Sequence, residues 1–167
     1  MTDGSVPHRI DRGLSHIDDQ GVARMVDVSG KTRTSRSATA TGVVRTTAQV
    51  ISQVADRGLA KGDALATARI AAIQAAKRTS ELIPLCHQIP LSSIDVDFVI
   101  GDTTVEVIAT ARTTDRTGVE MEALTAVTVG ALTVYDMIKA LDPAARIEGV
   151  RVLHKQGGQT GVWDAPR

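Results

Sequence analysis

Four ionisable side chains at the two ends of one apolar stretch have types and spacing suited to proton transfer. Glu120 and Glu122 stand where a long helix is expected to begin, and Asp136 and Lys139 stand near its end. Fourteen residues separate Glu122 from Asp136, roughly 21 Å of helix at 1.5 Å per residue. A small substrate does not reach both within one chain, so if both serve one site they come from different subunits. The glutamates also suit the positive end of a helix dipole, and Lys139 the negative end, with no further role required. Asp136 and Lys139, three residues apart, share a helix face. As a surface ion pair they would contribute under about 1 kcal/mol. Partly buried, the carboxylate would orient the ammonium and tune its proton affinity.

Two loops add candidates. Pro84-Leu85-Cys86-His87-Gln88-Ile89-Pro90 is stiffened by a proline at each end. Zinc needs three or four ligands, and no second Cys or His neighbours the Cys86-His87 pair, so no metal is expected. A thiol nucleophile needs a base beside it in space, which adjacency in sequence does not supply. His87 can donate a hydrogen bond to a phosphate or can be structural. Lys61-Gly62-Asp63 places a lysine at a glycine turn just before a helix start, where backbone N–H groups and a cation attract anions; a solvated lysine beside an N-cap is the plainer reading. The run from Lys155 to Gly161 is a basic, Gly-rich loop able to wrap phosphate, but it lacks the phosphate-loop pattern.

The elements that must position these groups follow from periodicity. A short strand is expected over 24–29 and an extended, Thr- and Ser-rich stretch over 32–44. Thr46-Thr47 opens an amphipathic helix ending near Gly58. Asp63 caps a helix that runs to about Ile83 and stops at Pro84. Residues 93–100 and 104–110 alternate apolar and polar around Gly101-Asp102, a hairpin. A helix over about 119–141 ends before Pro143, and a strand over 147–153 leads into the Lys155 loop. This order predicts an α+β sandwich with helices on one face of a largely antiparallel sheet. No charged residue lies between Ala123 and Tyr135. A helix apolar on every side must be covered on every side, which argues for burial against other subunits.

Composition narrows the function. Nineteen basic residues balance 19 acidic ones, so a general nucleic-acid binder is not expected. With one Phe, one Trp and one Tyr there is no platform on which single strands could stack. The apolar stretch after Glu122 reads as a buried helix, and no membrane span is expected. A single cysteine allows no internal disulfide and suits a reducing compartment. The first residues lack an apolar signal segment, so the cytoplasm is the expected location. Residues 1–13 and 162–167 read as tails around one domain over 14–161.

Taken in order, several segments resemble one family. These are Met25-Val26-Asp27-Val28-Ser29, Lys61-Gly62-Asp63 with Ala66 to Ala71, Gln74 to Thr79, and Leu82 to His87. Thr117-Gly118-Val119-Glu120-Met121-Glu122-Ala123-Leu124-Thr125 and Ala131 to Met137 complete the set. From about His16 to Gly161 the chain resembles the cyclic pyranopterin monophosphate synthase (MoaC) family of molybdenum cofactor biosynthesis.

The resemblance implies a ferredoxin-like α+β fold and a hexamer, a trimer of dimers, with sites at subunit interfaces. It implies a substrate derived from GTP, 3′,8-cyclo-7,8-dihydro-GTP, rearranged to the pyranopterin with closure of a cyclic phosphate and release of pyrophosphate. Transient contact with the radical enzyme supplying that substrate is implied too. Asp136 is then the acid/base, with Lys61 and Lys139 as partners in proton transfer. Leu85, Cys86 and His87 form a substrate-binding segment, Met121 and Glu122 bind the base-derived ring, and Glu120 lies beside them. Arg36 and Lys155 match basic positions suited to the triphosphate. No cofactor is needed for a rearrangement and a phosphoryl migration. Gln88 and Gln159 stand where the family often has proline and a second lysine. The rival readings are a pterin- or nucleotide-binding oligomer without turnover, and a structural assembly subunit.

Overall fold

The computed structural model describes residues 20–56, 58–158 and 161–166. The proposed tail over 1–13 and the departure at Gln159 lie outside them. The chain folds in the order β1 (Thr34–Arg45), α1 (Ala48–Ala55), α2 (Ala64–Lys77), α3 (Thr79–Leu82), β2 (Ser93–Ile100), β3 (Thr104–Asp115), α4 (Glu120–Ile138), β4 (Arg146–Gln156) and β5 (Val162–Asp164). The strands form one sheet in the order β2-β3-β1-β4-β5, and each neighbouring pair is antiparallel. Strand, helices, two strands, helix, strand is the split arrangement called ferredoxin-like, here with β5 added at one edge. The expected α+β class holds.

Alternation explains which face is covered. The register aligns Ala38 with Ala111, Ala40 with Ala109, Gly42 with Val107 and Val44 with Val105, and cross-strand partners point to the same side of a sheet. The side chains of this face are fully buried at Ala38, Ala40, Val44, Val105, Val107, Ala109 and Ala111. The opposite face carries polar pairs: Thr39 bonds Thr110 at 2.9 Å, Thr41 donates to Glu106 at 2.6 Å, and Arg45 meets Glu148 at 2.7 Å.

Small residues let α4 sit close to the sheet and to α2. A Cβ on Gly42 would lie 2.7 Å from Val127 Cγ1, and one on Gly130 would lie 3.3 Å from the Ala72 Cβ. On α2, Ala64, Ala68, Ala72 and Ala76 recur every four residues and are buried, a stripe that admits a neighbouring helix. Val127, Val134 and Ile138 on α4 are fully buried, each worth about 1.5–3 kcal/mol relative to exposure. Glu120–Ile138 is long and apolar enough to cross a membrane, yet its buried residues lie in this core.

Four details depart from the sequence expectation. Residues 24–29 form no strand; the segment holds an Asx-type turn, with Asp27 Oδ1 accepting from Ser29 N at 2.8 Å. The helix expected from Asp63 to Ile83 breaks at Arg78, because the buried Thr79 hydroxyl bonds the Ala76 carbonyl at 3.0 Å and tightens the turn. The helix expected to reach Leu141 is regular only to Ile138. Residues 162–164, read as part of a tail, form β5, where Asp164 meets His154 Nδ1 at 2.8 Å.

Candidate active site

The functional candidates fall into two groups, one at each end of α4. At the C-terminal end, Lys61 Nζ donates to Asp136 Oδ2 at 2.8 Å and to the Asp136 backbone carbonyl at 2.7 Å. Lys139 Nζ meets Asp136 Oδ1 at 2.8 Å. Local sequence sets this up. Gly62, at φ +93°, makes the left-handed turn that separates Lys61 from the N-cap Asp63. The carbonyls of the last helical turn lack internal partners, so an ammonium there satisfies one and suits the dipole. All three side chains are about half exposed. The hydrogen bond from Lys139, followed by that from Lys61, pulls the Asp136 carboxyl down to about 2. The same bond pushes the Lys139 ammonium up. At neutral pH the cluster is therefore one anion held between two cations. The resting Lys61 serves Asp136 rather than an open anion site before α2.

At the N-terminal end a hollow of about 180 Å³ is lined by Leu85, Cys86, His87, Glu120, Met121 and Glu122, together with Ile89, Thr117 and Gly118. His87 Nε2 lies 2.8 Å from the Val26 carbonyl. A carbonyl only accepts, so Nε2 carries the proton and Nδ1 is left free to accept, or to donate once the ring is charged. Glu122 is 3% exposed, and among the described residues its Oε2 has no hydrogen-bond partner. Burial foremost pushes this carboxyl up to about 7, and the neighbouring Glu120 adds to the shift. Burial, and then Glu122, push the Cys86 thiol up, which disfavours the thiolate a nucleophile needs.

Basic groups border the hollow. Lys155 Nζ donates to Glu120 Oε1 at 3.0 Å, and Arg36 Nε donates to the Asp115 carbonyl at 2.9 Å. Gly157 and Gly158, both at positive φ, pass so near β1 that added Cβ atoms would run into the Ser35 carbonyl and the Arg36 guanidinium. The glycines thus close the Lys155 loop over Arg36. A second hollow beyond Glu120 and Lys155 is lined by Val152, Val162 and Trp163. Among the described residues no group of three or more His, Cys, Asp or Glu side chains is placed to hold a metal ion.

The model of the MoaC family matches residues 25–158. The chain belongs to the MoaC family. Relatives of this MoaC-family chain include the cyclic pyranopterin monophosphate synthase 2 of Mycobacterium bovis, 62% identical over 150 residues that cover 90% of each chain. The cyclic pyranopterin monophosphate synthase of Streptomyces avermitilis is 57% identical over 90% of this chain and 88% of its own. That of Corynebacterium glutamicum is 54% identical over 90% and 96%.

In this MoaC-family chain the candidates read from sequence gather as two sets and not as one. Lys61, Asp136 and Lys139 form the first; Leu85, Cys86, His87, Glu120, Met121 and Glu122 line one hollow, with Arg36 and Lys155 in the sheet beside it. Ile89 and Trp163 were not singled out from sequence. Thr117 and Gly118 enter the sequence reading only within a motif, and the signal they offer is a Thr-Gly pair just before the Val119 N-cap of α4.

The buried Glu122 carboxyl sets a pH dependence. Its folded value, about 7, lies above the ordinary 4.5. Its contribution is thus intact below pH 4.5 and is lost as pH rises through about 7. Glu122→Gln keeps the shape of the neutral acid. It is expected to melt with the parent below pH 4.5 and to gain on the order of 1–3 kcal/mol above neutrality. Thermal melts of both proteins across pH test this; a difference that does not vary with pH would contradict it.

Proposed function

We propose that this chain is a cyclic pyranopterin monophosphate synthase. It converts 3′,8-cyclo-7,8-dihydro-GTP to cyclic pyranopterin monophosphate and releases pyrophosphate, a step of molybdenum cofactor biosynthesis. The intact Lys61–Asp136–Lys139 cluster carries the reading, in a chain whose relatives bear that enzyme's name. Closing the cyclic phosphate requires a sugar hydroxyl to lose its proton, a new P–O bond to form at the α-phosphorus, and pyrophosphate to leave with the electron pair of the bond that breaks. Two prepositioned ammonium groups suit that work: one exchanges a proton, and both stabilise negative charge as it develops. Asp136 holds them in place and shares in the acid–base exchange.

The hollow receives the base-derived ring. Glu122 and Met121 contact the ring, the 85–87 segment forms the facing wall, and Arg36, Lys155 and His87 take the phosphates. Because roughly 21 Å of helix parts the two groups, each site takes the Lys61–Asp136–Lys139 group from one subunit and the hollow from another. The assembly is a hexamer, a trimer of dimers. Support for subunit contact comes from the uncharged side of α4, where Thr128 and Leu132 are exposed between the two ends. Work in the cytoplasm and transient contact with the radical enzyme that makes the substrate belong to the same reading.

The decisive assay supplies the cyclised intermediate to the purified protein and follows pyrophosphate. Stoichiometric release with formation of the pyranopterin is expected. Tight binding without release would replace the enzyme by a binding protein.

A further inference from the structure

Where β3 passes into the loop before α4, three arginines gather around Asp115. Arg33 Nε lies 3.7 Å from Asp115 Oδ1, Arg36 Nε bonds the Asp115 carbonyl, and the Arg116 backbone N–H donates to Asp115 Oδ1 at 2.8 Å. Arg36 and Arg33 therefore have partners for their side chains, and Lys155 has Glu120. The Arg116 side chain differs. Its Nε is buried without a hydrogen-bond partner, and its guanidinium makes no ion pair among the described residues.

A charged donor left in that state opposes folding unless something outside the chain satisfies it. The place of Arg116 says what that partner is. It directly precedes Thr117 and Gly118, which line the hollow. Its charge acts on Asp27, as does that of His87, so Arg116 and His87 flank the same 26–27 segment, which His87 tethers through the Val26 carbonyl. A buried Nε donor without an acceptor calls for one, and a guanidinium offers two parallel N–H groups that match phosphoryl oxygens.

We propose that Arg116 is a further binding residue for the phosphate arm of the ligand, held unpartnered at the rim of the hollow for that purpose. This deepens the reading given above and rests on it for the identity of the ligand. The alternative partner, a backbone carbonyl of a second copy of the chain, is an outcome of the same test.

Calorimetric titration of the assembled protein with inorganic tripolyphosphate separates the two. Arg116→Gln is expected to weaken tripolyphosphate by roughly tenfold or more. Arg116→Lys, which keeps the charge and loses the fork, is expected to fall between it and the parent. Arg112→Gln removes an equal charge from the far face, where Arg112 pairs with Asp95, and is expected to bind as the parent does. If Arg116→Gln lowers the melting temperature or the oligomer state while tripolyphosphate affinity stays at the parent value, the residue is structural and the proposal falls. If that variant does not fold, Arg116→Lys decides: parental affinity overturns the proposal and a several-fold loss supports it. A parent protein that binds tripolyphosphate but releases no pyrophosphate from the cyclised substrate would sink the activity alone.

Discussion

Asp136→Asn is expected to reduce turnover of the cyclised substrate by about 10²–10⁴-fold, the range spanned by loss of a positioned acid–base group. The substitution keeps size and shape, and the side chain is about half exposed, so the fold is expected to survive. What changes is charge. The carboxylate now holds Lys61 and Lys139 at 2.8 Å each. A neutral amide offers one acceptor oxygen and, on its other side, an N–H₂ group that repels an ammonium. Lys139 loses its carboxylate partner and Lys61 keeps only the backbone carbonyl of residue 136, so the proposed electrostatic clamp on the departing pyrophosphate is weakened. Lys61→Ala removes one arm of the same clamp and is expected to fall in the same direction. Pyrophosphate release under saturating substrate reads both, with circular dichroism as the control for folding; an Asp136→Asn enzyme near the parental rate would remove Asp136 from the chemistry.

The pH behaviour of the cluster follows with its sign. The folded Asp136 carboxyl sits at about 2, below the ordinary 3.8. What it contributes is present above pH 3.8 and is lost only as pH falls toward 2. Asp136 is thus ionised across the working range and does not limit the rate on the acid side. Among the described residues of the two groups, the carboxyl placed to titrate near neutrality is Glu122, at about 7. If the hollow receives the ring as proposed, a change in ring binding near pH 7 is expected from Glu122, and its loss in Glu122→Gln would separate it from the lysine cluster.

The sequence was most readable where physics is local. Alternation in 93–100 and 104–110 needs only the two-residue period of a strand, and both became strands. Asp63 and Thr47 cap their helices as their types suggest, and the proline at 84 falls just beyond a helix end. Readings failed where distant groups decide. Met25, Val26 and Val28 alternate as a strand would, yet no ladder reaches them, and His87, 61 residues later, holds Val26 instead. Three residues at 162–164 are too few for a pattern, and their pairing depends on β4. In the site, the acidic first turn is open to a reading in which the two glutamates only favour the helix dipole. Glu122 is instead buried and Glu120 is tied to Lys155. The contact of Lys61 with Asp136 joins residues 75 apart, which helix spacing does not reveal; the resemblance to a family, and not periodicity, pointed to that pairing.

Mixing two crippled variants is expected to restore activity that neither has alone. Asp136→Asn damages the C-terminal end of α4 and Glu122→Ala damages the hollow at its other end. The helix between them does not fold back: Gly42 lies under Val127, and Gly130 packs against α2, so bending α4 would break contacts along its whole length. If each site joins the cluster of one chain to the hollow of another, a mixed assembly contains some sites in which both contributing ends are intact. For random association each end is intact half the time, so recovery approaches about a quarter of the parental activity per site. Glu122→Ala is a suitable partner because it removes an unsatisfied buried carboxylate and so spares the fold. The two variants carry different affinity tags, are unfolded and refolded together, and are purified through both tags before pyrophosphate release is measured. Absence of recovery in verified mixed assemblies would mean that both ends act within one chain or that they belong to separate sites. Either result would break the link between the length of α4 and the need for a second subunit.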